Sequence, residues 1–139
     1  MILGIGTDLF DVDRMRRQLE GDAEFSASVF TPSEIAYCAA KRDPAPHFAA
    51  RFAAKEAALK ALADAGGAGS FWQDAEVQRR NDGKPTLELS GRLADLAAGL
   101  EVRRIHLSLT HTDQLAAATV VLEGDPAVPP SDQDDRRRR

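Results

Sequence analysis

Arg51-Phe52-Ala53-Ala54-Lys55-Glu56-Ala57-Ala58-Leu59-Lys60-Ala61 is the centre of an alanine-rich segment, His47 to Ala65, whose composition favours helix. Phe48, Phe52, Leu59 and Leu62 recur at helical spacing, and Gly66-Gly67-Ala68-Gly69 is expected to end the helix. Upstream, Thr31-Pro32-Ser33-Glu34 reads as a helix start: Thr31 caps, Pro32 fits the first position and Glu34 completes a capping box. That helix should run to about Arg42, where Asp43-Pro44-Ala45-Pro46 stops it. A short helix over residues 11–20 carries Arg14, Arg16 and Arg17.

Strands flank these helices. In Ile2 to Phe10, Leu3, Ile5, Thr7 and Leu9 alternate with Gly4, Gly6, Asp8 and Phe10, leaving one face bare around Asp8. Glycine in a strand often marks the close approach of a ligand or another backbone. Ala75 to Gln78 and Thr86 to Leu89 alternate across an Asn81-Asp82-Gly83-Lys84 turn, and Ser90 is placed to cap a short helix over Gly91 to Ala98. Ile105 to Thr112 alternates again, and Leu115 to Leu122 reads as a mostly apolar central strand. The expected fold is α+β: one small domain over residues 1–123, mainly antiparallel sheet against a long helix, with a disordered tail over 124–139.

With 139 residues, 43% hydrophobic and 29% charged, the chain has the balance of one soluble globular domain. A single cysteine, Cys38, excludes an internal disulfide or a cysteine zinc cage, and is expected to be a small buried hydrophobe. No leader pattern or membrane-length apolar run stands out, so a reducing, cytoplasmic setting is the expectation. A net charge of −4 argues against a general nucleic-acid binder, yet the local basic clusters would suit an acidic protein partner.

The chemistry-bearing residues are few. Glu56 and Lys60, four apart, share a helix face and alone would read as a surface ion pair. With Asp8 beside two strand glycines they gain another meaning. Two carboxylates from different elements and a lysine suit Mg²⁺ bound jointly with phosphate. Gly66 to Gly69 could cradle phosphate as well as end a helix, and Lys84 sits at a turn. Ser108 has no GxSxG elbow, which sets a serine hydrolase aside, and His111 fits a core histidine as well as a catalytic one.

Three blocks together resemble the holo-acyl-carrier-protein synthases, small 4′-phosphopantetheinyl transferases: Gly4 to Leu9 through to Arg14, Arg51 to Ala61, and His106 to Thr112. Phe30 to Glu34 and Asp82 to Pro85 also match, so the likeness covers nearly all of Met1 to Leu122. The resemblance implies a homotrimer with interfacial active sites, coenzyme A as donor, a carrier-protein serine as acceptor and 3′,5′-ADP as the leaving product. It matches Asp8 and Glu56 to magnesium ligands, Lys60 to a lysine near the pyrophosphate, and Arg14, with Arg17 on the same face, to the acidic carrier protein. Gly67, Gly83, Lys84, Pro85 and His111 fall among the expected coenzyme-binding positions, and Glu56 or His111 is the expected proton acceptor. Where the family often shows Gly-Thr-Gly after the middle helix, this chain has Ala65-Gly66-Gly67-Ala68-Gly69. Two other classes compete: a non-catalytic module that holds coenzyme A or a carrier protein, and a magnesium-dependent phosphohydrolase. Asp8, Glu56 and Lys60 favour an enzyme over the module, and the early arginines favour a protein acceptor over water.

Overall fold

The computed structural model describes residues 1–63 and 71–126. Its elements are β1 (Ile2–Asp11), α1 (Val12–Gly21), α2 (Phe25–Val29), α3 (Pro32–Ala39), α4 (Pro44–Ala61), a 3-10 turn (Trp72–Asp74), β2 (Ala75–Arg79), β3 (Pro85–Leu89), α5 (Gly91–Gly99), β4 (Arg104–His111) and β5 (Leu115–Glu123). All strand pairing is antiparallel, in a sheet of order β1-β5-β4 and a separate β2-β3 hairpin. The apolar strand β5 is central, as its composition predicts. The hairpin turn needs its glycine, because Gly83 sits at φ 84°.

α4 is the hub. It is buried almost all round rather than along one stripe, with alanine at Ala49, Ala50, Ala53, Ala54, Ala57 and Ala58. One side packs on the sheet, the hairpin and α5; the other packs on α1 to α3 through Met15, Phe30 and Phe48. Pro44 and Pro46 do not stop a helix here. They open α4, because a first helical turn has no internal partner for their missing N–H groups. α3 accordingly ends at Ala39, and α4 closes at Ala61, short of the predicted glycine stop. α5 forms as expected, but Asp74 rather than Ser90 caps it: Asp74 Oδ2 accepts from the Arg92 N–H at 3.0 Å.

Small residues let α4 lie directly on β1. A Cβ added at Gly6 would fall inside the Ala57 carbonyl oxygen, 2.8 Å from its carbon and 2.9 Å from the Ala61 nitrogen. One at Gly4 would collide with the Ala61 carbonyl. These glycines therefore serve backbone approach, not ligand approach. Beyond β5, Gly124 exchanges hydrogen bonds with Met1, 2.8 and 2.9 Å, so ordered pairing continues to the first residue of the expected tail. Residues 127–139 lie outside the described residues.

Gly6→Ala should lower the unfolding free energy by about 1–3 kcal/mol or more in urea denaturation, the cost of forcing a methyl into a closed contact. Gly21→Ala is the control, since a Cβ there meets nothing within 4 Å. Equal stability of the two variants would contradict the close approach.

Candidate functional site

The glycine contacts order β1 along α4. Gly4 lies at Ala61, Gly6 at Ala57, and the Phe10 ring meets Phe52 edge-on with centroids 4.7 Å apart. Asp8, between Gly6 and Phe10 on the same strand face, therefore falls at the turn of α4 that carries Glu56. Lys60 closes over it, donating to Asp8 Oδ1 and to the Thr7 carbonyl at 3.0 Å each. Lys60 is 56% exposed and Asp8 18%, so the pair lies at a surface with the carboxylate recessed. Asp8 and Lys60 thus meet within one chain, with Glu56 one helical turn before Lys60.

Glu56 does not pair with Lys60. Its Oε1 accepts from the Trp72 indole N–H at 2.6 Å. Asp8 and Glu56 each have one oxygen engaged, and neither second oxygen has a partner among the described residues. No group of three or more His, Cys, Asp or Glu side chains gathers among the described residues. A short carboxylate set with open oxygens fits Mg²⁺, which keeps its waters and adds substrate phosphates rather than filling a protein cage.

A buried ion pair supports this face from behind. Lys55 and Glu34 are fully buried, with Nζ 2.7 Å from Glu34 Oε1. Lys55 also donates to the carbonyls of Trp72 and Ala75, at 2.9 and 2.6 Å, so all three ammonium hydrogens are used. Glu34 accepts from the N–H groups of Thr31 and Val77, 2.9 Å each, so the capping box reaches into the hairpin. Burial pushes the Lys55 ammonium below its ordinary range, and Glu34 opposes that shift.

A second polar cluster lies further toward the start of α4. The Arg51 guanidinium is 4.1 Å from the Tyr37 ring centroid, Lys41 Nζ 4.4 Å and Arg79 5.0 Å. Arg51 is only 4% exposed, bonds the His47 carbonyl at 3.4 Å, and leaves its buried Nε without a partner. His111 packs against His47, ring centroids 5.4 Å apart. Burial, then the charges of His111, Arg51, Lys41 and Arg79, push His47 below the ordinary imidazole range. Such an excess of cations around an unsatisfied guanidinium suits a phosphate.

A sequence model of the 4′-phosphopantetheinyl transferase superfamily matches residues 4–120. The chain belongs to that superfamily. It is 50% identical over 128 residues to the holo-[acyl-carrier-protein] synthase of Anaeromyxobacter sp. (strain K), covering 89% of this chain and 98% of that protein. The crystal structure of a holo-ACP-synthase from Plasmodium yoelii superposes with a TM-score of 0.77 at 29% identity, covering 91% and 98% of the two chains. A holo-(acyl-carrier-protein) synthase from Bacillus anthracis, solved in complex with CoA (3′,5′-ADP), gives 0.72 at 33% identity, covering 90% and 99%.

In this transferase the other predicted site residues lie apart from the carboxylates. Gly83, Lys84 and Pro85 occupy the hairpin turn beyond Arg79, at the opposite end of β2 from Lys55. His111 joins the Arg51 cluster. Gly67 lies outside the described residues. On α1, Asp43 takes Arg16 at 2.8 Å, while Arg14 and Arg17 are exposed and form no ion pair among the described residues. Cys38 is fully buried, with burial pushing its thiol up to about 11, an unreactive packing residue.

Sequence reasoning missed Trp72, Lys55, Tyr37 and the role of Arg51. A lysine and an arginine inside an otherwise alanine-rich helix were the available signal, because long charged side chains enter a core only when paired. Lys55→Met should cost about 3–5 kcal/mol by leaving Glu34 buried and uncompensated. Adding Glu34→Gln should recover part of that loss in urea denaturation, since the amide removes the charge and keeps an acceptor. Additive losses would contradict the pairing.

Proposed function

We infer that the chain transfers 4′-phosphopantetheine from coenzyme A to a serine of an apo acyl carrier protein, releasing 3′,5′-ADP. The contact of Asp8 with Lys60, one helical turn from Glu56, carries the reading, in a chain whose relatives are named holo-[acyl-carrier-protein] synthases. Asp8 and Glu56 would hold Mg²⁺. When bound, that ion supplies positive charge to the pyrophosphate oxygens as the bond to the leaving group breaks. Lys60 adds a mobile ammonium at the same place, exchanging part of its bond to Asp8 for the phosphate. The serine oxygen forms the new bond to the β-phosphorus, and 3′,5′-ADP leaves with the electron pair of the broken P–O bond. Glu56 takes the serine proton, directly or through a water. His111 is assigned instead to the cationic cluster it touches.

Coenzyme A carries a phosphate monoester apart from its pyrophosphate. The Arg51 cluster, one end of α4 away from Lys60, is suited to it by its charge excess and its unpartnered Nε. Arg14 and Arg17 are free to meet an acidic carrier surface. Ile5 and Leu9, on the outer face of β1, are 60% and 65% exposed, and with Leu115 they form an apolar sheet face. A homotrimer that buries this face is the assembly we assign. Sedimentation equilibrium should give three chains per particle; a monomer at micromolar concentration would remove that part.

Incubated with apo carrier protein, coenzyme A and Mg²⁺, the protein should add one phosphopantetheine to the carrier by mass spectrometry, and EDTA should stop it. Asp8→Ala and Glu56→Ala should each abolish the gain while keeping the native melting temperature. Wild-type rates in both would sink the site assignment, and no gain with several carriers would favour the binding-module reading. Arg51→Leu should raise the KM for coenzyme A by on the order of tenfold, the loss of a charge-assisted hydrogen bond. It should leave the KM for 3′-dephospho-coenzyme A unchanged; an equal rise for both donors would place the monoester elsewhere.

A further inference from the structure

Trp72 is the only tryptophan in the chain. Its indole N–H meets Glu56 Oε1 at 2.6 Å, a short charge-assisted bond. Its backbone carbonyl accepts from buried Lys55 at 2.9 Å. Its ring lies 6.1 Å from that of Phe52, itself edge-on to Phe10. The next residue is tied as well: the Gln73 side-chain amide donates to the carbonyls of Ala27 and Phe30, at 2.6 and 3.1 Å. Backbone, ring and N–H of Trp72 are each held by a different partner.

An indole only donates, so it can bind Glu56 solely through a carboxylate lone pair. It fixes the rotation of the carboxylate and occupies one oxygen, leaving the other open. Lys55 and Glu56 are consecutive, so they leave α4 in different directions. Lys55 anchors the main chain of Trp72 from inside, and Trp72 returns its side chain to Glu56 at the surface. Packing alone would be satisfied by phenylalanine; the 2.6 Å bond would not.

We propose that Trp72 is a positioning residue: its indole N–H orients Glu56 as a cation ligand and is itself anchored by the Lys55–Glu34 pair. This rests on the reading of Glu56 as a ligand of the divalent cation. Trp72 acts only through Glu56 and touches no reacting atom. Because no other tryptophan exists in the chain, its emission reports directly on the Glu56 carboxylate.

The test uses the full-length protein and Mn²⁺ alone, with free Mn²⁺ counted by electron paramagnetic resonance, beside Trp72 fluorescence and melting temperature. Wild type should bind Mn²⁺ in a Glu56-dependent way, and the emission should change along the same titration curve. Trp72→Phe keeps a ring against Phe52 and removes the N–H, so it should weaken Mn²⁺ binding about tenfold or more, as loss of a ligand's hydrogen-bond partner does. Its melting temperature should stay close to wild type. Unchanged affinity in Trp72→Phe, with Glu56-dependent binding intact in wild type, would overturn the positioning role alone. Wild-type binding that ignores Glu56→Ala would overturn both this role and the ligand reading. Should Trp72→Phe melt early, the wild-type emission decides: no change on Mn²⁺ addition overturns the proposal, and a change lost in Glu56→Ala supports it.

Discussion

The site depends on how closely α4 can approach β1. Gly4 and Gly6 face the Ala61 and Ala57 carbonyls without room for a methyl. That contact sets the depth and register of the helix on the strand. Asp8 and Lys60 are then 3.0 Å apart although 52 residues separate them in the chain. A larger residue on either side would lift the helix, and the lysine would lose its carboxylate. The alanines of α4 serve the same end, since a helix of larger side chains could not lie against a sheet, a hairpin and four helices at once.

Behind this contact, one residue pair joins fold to site. The Lys55–Glu34 bridge is buried, and buried bridges contribute little net stability relative to apolar packing. Its value here lies in what it holds. Lys55 clasps two carbonyls at the 3-10 turn and the start of β2, and Glu34 joins α3 to that strand. Its neighbour Glu56 faces the surface with one oxygen held by Trp72. Two consecutive residues thus divide the work of support and chemistry.

The elements whose formation is decided locally were legible in the sequence. The capping box at Thr31, the alternation of β1, the Asn81–Lys84 turn and the apolar centre of β5 all appear as read. Asp8 and Lys60 were legible as candidates, and the structure brings them together. Misreadings arose where a distant partner overrides a local signal. Asp74 displaces Ser90 as a cap, and Pro44 starts a helix because α3 has already ended at Ala39. The strand glycines announced a close approach correctly, but what approaches is the backbone of α4. Arg51 looked like one more surface cation because nothing local says that its Nε is buried without a partner.

A crystal grown with coenzyme A and Mn²⁺, measured at the manganese absorption edge, shows which carboxylates hold the cation. One anomalous peak is expected, coordinated by Asp8 and Glu56 of the same chain and by the pyrophosphate, with Lys60 moved toward a phosphate oxygen. A peak ligated by neither carboxylate, or by carboxylates of two different chains, would contradict it.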